Sequence, residues 1–222
     1  MPVITISREF GSEGDRIAQD VAQAMHHHFV DRRCIGTIIG QHGSGEFEKD
    51  YSKLLTFWER FDAQRERERD MVVKMLNRVI QAIAHHGNAV ILGRSGFQVL
   101  GGFADVLHVR LQAPFTMRVH RIMKDHNLSF DEAETLVKRN DRTRVSFVEE
   151  FYQVPWNSIQ FFDLVINTAK IDPDTACNMI VDAASFFEPG VDPKQSTVES
   201  LEVDRTLANS VSEALHCDKI HV

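Results

Sequence analysis

Short apolar runs alternate along the chain with longer stretches in which apolar residues recur every three or four positions. The runs VITIS from Val3, AVIL from Ala89, VLHVRL from Val106 and DLVINT from Asp163 have the composition of buried strands. The longer stretches, of which residues 71–83 are the clearest, have the period of amphipathic helices. Strands that alternate with helices predict a layered α/β fold with a mostly parallel central sheet.

Two segments depart from this regular alternation. The aromatic stripe at residues 57–61 (FWERF) has helical spacing, which favours a place in the core; an acceptor-base platform and a dimer patch are the alternatives. The sequence EPG at residues 188–190 later ends the alternation, and the rest of the chain carries one helix at about 204–215 and a terminal KIHV segment of strand composition. We predict one domain over residues 1–187 and a C-terminal appendage over residues 188–222.

Composition limits the class of partner. The chain has 222 residues, of which 43% are hydrophobic, and a net charge of -7, so a full core is expected and a nucleic-acid or membrane partner is not. No apolar run approaches the roughly 20 residues that cross a bilayer, and no signal peptide is recognised at the N-terminus. The three cysteines are too far apart for a disulfide framework or a metal site. We expect a cytoplasmic protein that binds a small molecule, and a homodimer is left open.

The segment from Val3 to Arg16 (VITISREFGSEGDR) runs from a strand through a glycine-containing loop into a helix. This is the layout of a phosphate-binding loop, in which backbone amides and the helix N-terminus favour an anion. The usual pattern ends in glycine, lysine and then serine or threonine. Here the residues that follow Gly11 are Ser12, Glu13, Gly14, Asp15 and Arg16. The lysine is absent and an acid lies in the loop, so a plain tight turn is the alternative for this segment alone.

Polar residues follow several predicted strands at the point where each strand ends. Ser7 and Arg8 end the first run, Arg94 follows AVIL, and the later cluster KRNDRTR supplies Arg139, Asp141, Arg142 and Arg144. Ligands of parallel sheets bind beyond the carboxyl ends of the strands, so these residues outline an anion site. Arginine suits phosphate because its planar guanidinium donates two parallel hydrogen bonds. A solvated helix end is the alternative for KRNDRTR taken alone.

The order of these segments resembles the cytidylate kinase-like family, P-loop relatives of the nucleoside monophosphate kinases, over about residues 3–187. ITISREFGSEG resembles the first strand and phosphate loop of that family, and FVDRRCI resembles the stretch that follows its first helix. VILGRSG, HVRLQAP, KRNDRTR and DLVINT match its later segments in order. The resemblance implies a three-layer P-loop kinase fold with a helical lid over about residues 118–152, whose arginines are exposed or loosely paired without ligand.

Roles for individual residues follow from the loop and from the resemblance. Catalytic roles are implied for Arg94, Arg139 and Arg142. The residues expected to hold ATP are Ser7, Arg8, Gly11, Ser12, Gly14, Asp15, Arg16, Arg118 and Arg121. The residues expected to hold the acceptor nucleotide are Asp31, Arg33, Arg94 and Asp141. No metal ligand is assigned, and Mg²⁺ is expected to accompany ATP.

The implied reaction is transfer of the γ-phosphate of Mg·ATP to a nucleoside monophosphate, with CMP or dCMP as the leading acceptor. The alternative is a catalytically degenerate, nucleotide-binding regulatory module. Glu13 and the absent lysine favour that alternative, whereas Arg94 and the lid arginines favour the enzyme. Because a carboxylate near polyphosphate is repulsive, Arg8 or Arg16 is expected to supply the missing cation.

Overall fold

A parallel β-sheet of five strands forms the centre of the computed structural model, which describes residues 2–42, 66–186 and 195–217. The strand order is β2-β3-β1-β4-β5, and every pairing among these strands is parallel. The strands are β1 Val3–Arg8, β2 His28–Val30, β3 Ala89–Leu92, β4 Val106–Gln112 and β5 Leu164–Asn167. The predicted α/β fold with a parallel sheet is confirmed.

Eight α-helices connect and cover these strands within the described ranges. They are α1 Gly14–Ala24, α2 Arg32–His42, α3 Glu66–His86, α4 Gly96–Val99, α5 Phe115–His126, α6 Phe130–Tyr152, α7 Pro173–Ser185 and α8 Arg205–Cys217. A capping box opens α6, where the Ser129 side chain accepts from the Glu132 amide and the Glu132 carboxylate accepts from the Ser129 amide. The end of α3 is marked by Gly87 and Asn88, whose φ angles of 80° and 50° are left-handed.

The two faces of the sheet pack on separate layers of helices. Ile4 and Ile6 of β1 face a core that contains Ile17 of α1 and Ile180 of α7. Val3 faces the opposite core, to which α2, α3 and α8 contribute. This alternation along β1 follows from the two-residue period of a strand, and it produces three layers with the sheet in the middle.

The C-terminal segment is packed onto the domain as far as it is described. Helix α8 contacts α2 and α3, and its residues Leu207, Val211 and Leu215 are buried. The carboxylate of Asp105 accepts a hydrogen bond of 3.0 Å from the amide of Val198, which joins this segment to the end of the loop before β4. The aromatic stripe at residues 57–61 and the terminal KIHV lie outside the described residues. In the described ranges, no helix combines the length and apolar character needed to cross a bilayer.

Candidate functional site

The loop between β1 and α1 turns sharply at two left-handed residues. Gly11 has a φ of 81°, and Glu13, which precedes the first residue of α1, has a φ of 62°. A side chain at Gly11 would place its Cβ 2.9 Å from the carbonyl oxygen of Arg118, so only glycine fits there. Ser12 is fully buried, and its hydroxyl donates a 2.8 Å hydrogen bond to the carbonyl of Glu9. These contacts stabilise the turn.

Three successive carbonyl groups of this loop accept hydrogen bonds from neighbouring elements. The donors are the guanidinium of Arg118 to the Phe10 carbonyl at 3.0 Å, that of Arg121 to the Gly11 carbonyl at 3.3 Å, and the hydroxyl of Thr168 to the Ser12 carbonyl at 3.1 Å. The amide groups of residues 13–15, by contrast, donate no hydrogen bond to any described residue. Free amides at a helix N-terminus are the groups that bind phosphate.

Arg118 anchors the loop from inside the protein. Its Nε donates to the Ala113 carbonyl at 3.0 Å and lies 3.3 Å from the Glu9 carboxylate, while its Nη1 lies 2.6 Å from the Asp141 carboxylate. The other Asp141 oxygen accepts from the Phe10 amide at 3.1 Å, which connects α6 directly to the loop. Arg118 is only 5% exposed. The expectation of exposed or loosely paired lid arginines is therefore wrong for Arg118, because four loop and helix groups already use its donors.

The acidic residue of the loop, Glu13, forms an ion pair with Arg121. The Glu13 carboxylate lies 3.6 Å from the Nε of Arg121, whose Nη2 also donates to the Thr168 carbonyl at 2.6 Å. Arg16 makes ion pairs with Asp174 at 2.7 Å and Asp20 at 3.5 Å on the outer face of α1 and α7. Neither Glu13 nor Arg16 lines the cavity described next. Of the two arginines expected to replace the loop lysine, only Arg8 lines that cavity.

A cavity of about 340 Å³ opens at the carboxyl ends of β1 and β3 and is bounded on another side by α6. Five arginines line it, and none of its described lining residues is an aspartate or a glutamate. These arginines are Arg8, Arg32, Arg94, Arg139 and Arg144. The rest of the lining includes the aromatic side chains of Phe97, Phe147 and Trp156 and the polar side chains of Ser7, Ser95, Asn140 and Thr143. In a chain of net charge -7, such a local excess of cations suits a multiply charged anion.

Two of the arginines around this cavity are strongly desolvated. Burial lowers the pKa of Arg110 and of Arg144 to about 10, and the nearby charge of Arg8 contributes to the shift at Arg144. Arg110 stacks on the Trp156 ring at 4.0 Å and donates to the Ser7 hydroxyl at 2.9 Å. The Nη1 of Arg144 is buried with no hydrogen-bond partner among the described residues. Both groups stay charged near neutral pH, so an anion in the cavity would relieve their desolvation and mutual repulsion.

Residues 3–170 match the model of the cytidylate kinase-like family. The chain belongs to this family. It is 23% identical to a cytidylate kinase of Haloarcula marismortui over 203 residues, which cover 91% of this chain and 99% of that protein. It is 28% identical to a cytidylate kinase of Pyrococcus horikoshii over 188 residues, which cover 84% and 90%. The crystal structure of an uncharacterized protein from Eubacterium ventriosum has the same fold, with a TM-score of 0.65, 18% identity and coverage of 84% and 99%.

In this cytidylate kinase-like chain, four of the predicted site residues line the cavity: Ser7, Arg8, Arg94 and Arg139. Arg94 lies in a turn of three successive left-handed residues, Gly93, Arg94 and Ser95, with φ angles of 74°, 55° and 55°. Left-handed conformation is costly for residues with a side chain, and residues held in it away from helix caps cluster at functional sites. The turn places Arg94 directly at the end of β3.

Other predicted residues lie around the loop instead of in the cavity. Gly11, Ser12, Gly14 and Asp15 form the loop and the start of α1, and Arg118, Arg121 and Asp141 hold it in place. Asp31 accepts from the amides of Arg33 at 2.7 Å and Cys34 at 3.0 Å, so it caps α2. Arg33 is exposed and does not line the cavity, whereas its neighbour Arg32 does.

The sequence reasoning missed Arg32 as a lining residue, and it included Arg144 in the anion cluster without giving it a role of its own. The lining positions of α6 are 136, 139, 140, 143, 144, 147 and 148, which recur at the three- and four-residue spacing of one helix face. Arg142 falls between these positions and is exposed, so the structure does not bring it to the cavity. Helical period applied to KRNDRTR would have selected Arg144. No comparable signal distinguishes Arg32 from Arg33, because the choice depends on where α2 begins.

Proposed function

We propose that the protein is a phosphotransferase that moves the γ-phosphate of ATP to a nucleoside monophosphate, with CMP or dCMP as the leading acceptor. The observation that carries the proposal is the cavity, which is lined by five arginines and by no described acid. It lies beside a loop whose first-turn amides have no hydrogen-bond partner among the described residues. Membership of the cytidylate kinase-like family and similarity to the two cytidylate kinases named above also support this proposal. The reaction would take place in the cytoplasm, the compartment that we predict from the sequence.

The dimensions and lining of the cavity support a small phosphorylated acceptor. Its volume of about 340 Å³ lies at the lower end of the range of ligand pockets, which is roughly 300–1,000 Å³. Arginines at one side would bind phosphate groups, and the aromatic rings of Phe97, Phe147 and Trp156 would pack against a base or ribose. We assign Arg94 and Arg139 to the acceptor phosphate, and the loop amides with Arg8 to the phosphates of ATP.

Phosphoryl transfer asks for little acid–base chemistry from the protein. An oxygen of the acceptor phosphate forms a bond to the γ-phosphorus, the bond from that phosphorus to the bridging oxygen breaks, and the electron pair leaves with ADP. The products are ADP and a nucleoside diphosphate, and no proton has to move if the attacking phosphate is fully ionised. Positioning and charge stabilisation by the arginines are therefore sufficient.

Nucleotide kinases take ATP together with Mg²⁺, and the residues at the loop include one suitable oxygen donor. Asp15 lies in the first turn of α1 with its side chain 68% exposed, and carboxylate oxygens are ligands that Mg²⁺ accepts. We propose that Asp15 would hold this ion, directly or through water. When bound, Mg²⁺ neutralises charge on the β- and γ-phosphate oxygens.

A nucleotide-binding regulatory module without turnover is the second candidate. It is favoured by the absent loop lysine and by Glu13 within the loop. Coupled measurement of ADP release with CMP, dCMP, UMP and AMP separates the two candidates. Turnover with one of these acceptors supports the enzyme, whereas nucleotide binding without turnover supports the regulatory module.

The role of Arg94 can be tested in the same assay. We expect Arg94→Ala to raise the KM for the acceptor by about tenfold or more while leaving the Kd for ATP within about threefold, because one charge-assisted contact is removed from one ligand only. Arg78→Ala is the matched control, since Arg78 is an exposed arginine of α3 that does not line the cavity. Equal losses for ATP and acceptor in Arg94→Ala would contradict the assignment.

A further inference from the structure

The side chain of Arg8, at one end of the phosphate-type loop, lies over Gly14 at the other end. A Cβ built on Gly14 would come within 2.6 Å of the Arg8 Cγ and 2.7 Å of its Cβ. Further along, the guanidinium occupies the space that a side chain on Gly93 would need. The side chain of Arg8 is 18% exposed and its Nη2 ends 3.1 Å from the Asp15 carboxylate. Arg8 therefore fills a groove that two glycines leave open.

The usual phosphate-loop pattern explains why this contact is informative. In that pattern glycine is followed after four residues by glycine, lysine and then serine or threonine. We align the second glycine of this pattern with Glu13. The first glycine of the pattern then corresponds to Arg8, its lysine to Gly14 and its serine or threonine to Asp15. The chain thus has an arginine where the pattern has glycine, and a glycine where it has lysine. The contact between Arg8 and Gly14 makes these two departures dependent on each other.

We propose that Arg8 is the cation that binds the β- and γ-phosphates of ATP in place of the absent loop lysine, entering from the opposite end of the loop. On this basis Gly14 and Gly93 are glycines because the stem and guanidinium of Arg8 need their space. This inference rests on the proposed function, since it assigns a residue to the ATP site of that reaction. It makes Arg8 a phosphate-binding residue.

The hydrogen-bonding state of Arg8 fits this role. Its Nε is buried and has no partner among the described residues, so a donor is left for a ligand. Its ion pair is with a carboxylate that is 68% exposed, and such a pair contributes little to stability and exchanges easily. Arg144, whose Nη1 also has no partner among the described residues, lies close enough for the two charges to repel. A phosphate between them would satisfy donors on both side chains.

An exchange of the two residues provides the test. The variants are Arg8→Gly, Gly14→Lys and the double variant that carries both, and the readout is the Kd for Mg·ATP and for inorganic tripolyphosphate by calorimetry. We expect Arg8→Gly to weaken both Kd values by about tenfold or more, since a charge-assisted contact is lost. Gly14→Lys alone should also weaken binding, because its Cβ collides with Arg8. In the double variant both Kd values should return to within about threefold of the wild-type values. A purely structural role of Arg8 would not produce this recovery.

A second variant keeps the test decisive if the exchanged loop is unstable. Arg8→Gln retains an apolar stem over Gly14 and should keep the thermal midpoint near that of wild type while losing at least tenfold in ATP affinity. The Kd for CMP should change by less than about threefold, because Arg94 and Arg139 are retained. Wild-type affinity for ATP in Arg8→Gln, or a folded double variant without recovery, would overturn the role of Arg8. A wild-type protein that binds neither ATP nor tripolyphosphate would overturn the proposed function as well.

Discussion

The contacts of Arg118 predict a large loss of stability when this side chain is replaced by one of similar length without charge. In Arg118→Met the carboxylates of Glu9 and Asp141 lose their cation, and their side chains are only 21% and 23% exposed. Leaving buried carboxylates unpaired costs about 3–5 kcal/mol when burial is complete. Because both carboxylates keep some access to water, we expect the free energy of unfolding to fall by about 2–4 kcal/mol.

Urea denaturation followed by circular dichroism measures this loss, and a double-mutant cycle with Asp141→Asn tests its cause. If the cost arises from an unpaired carboxylate, the double variant should be less destabilised than the sum of the single variants, by about 1 kcal/mol or more. Arg78→Met is the control for loss of an exposed arginine, and it should change stability by less than about 0.5 kcal/mol. A loss below about 1 kcal/mol in Arg118→Met, or strict additivity with Asp141→Asn, would refute the argument.

Two further predictions concern the acid of the loop and a buried histidine. Glu13→Gly should improve the Kd for Mg·ATP by less than about fivefold, because the Glu13 carboxylate already faces Arg121 at 3.6 Å; a much larger gain by calorimetry would mean that the acid faces the bound phosphates. Burial lowers the pKa of His108, whose Nδ1 lies 2.7 Å from the Thr5 hydroxyl. Below the ordinary value of 6.5 the unfolded chain therefore binds a proton that the folded protein does not, so stability should fall as the pH falls from 7.5 to 5.5. The free energy of unfolding in urea, measured at the two pH values, should decrease less in His108→Gln than in wild type. A wild-type free energy of unfolding that is the same at both pH values would contradict the reasoning.

Four of the five strands were predictable because local sequence is enough to define them, whereas the three-residue strand β2 was not among the predicted runs. The run AVIL coincides with β3, VLHVRL is one residue shorter than β4, and DLVINT extends beyond β5 by one residue at each end. A strand that is covered on both faces has to be apolar along its whole length, and the turns that follow it are polar. The edge of the sheet where the site lies follows from the same property, because all strands in a parallel sheet end on one side.

The choice between neighbouring arginines was less predictable. Arg142 and Arg144 differ by two positions on α6, and only the second faces the cavity. The three- and four-residue period of a helix predicts which of the two arginines faces the cavity, once one cavity-facing position of the helix is known. Arg32 and Arg33 both lie in the first turn of α2, and only Arg32 lines the cavity. A predicted helix start that is wrong by one residue would select Arg33 instead.

The sequence by itself determined the layered fold, the edge of the sheet that carries the site and the arginine-rich character of that edge, because each depends on residues close together in the chain. Only the tertiary structure decided what individual charges do. Arg118 and Asp141 are more than a hundred residues from the loop in sequence, yet both form hydrogen bonds with the Phe10 backbone and stabilise the loop. The contact of Arg8 with Gly14 and Gly93 likewise depends on how the loop folds back towards β3. Side-chain direction and burial set these roles, and both arise from packing between elements that the linear pattern leaves unspecified.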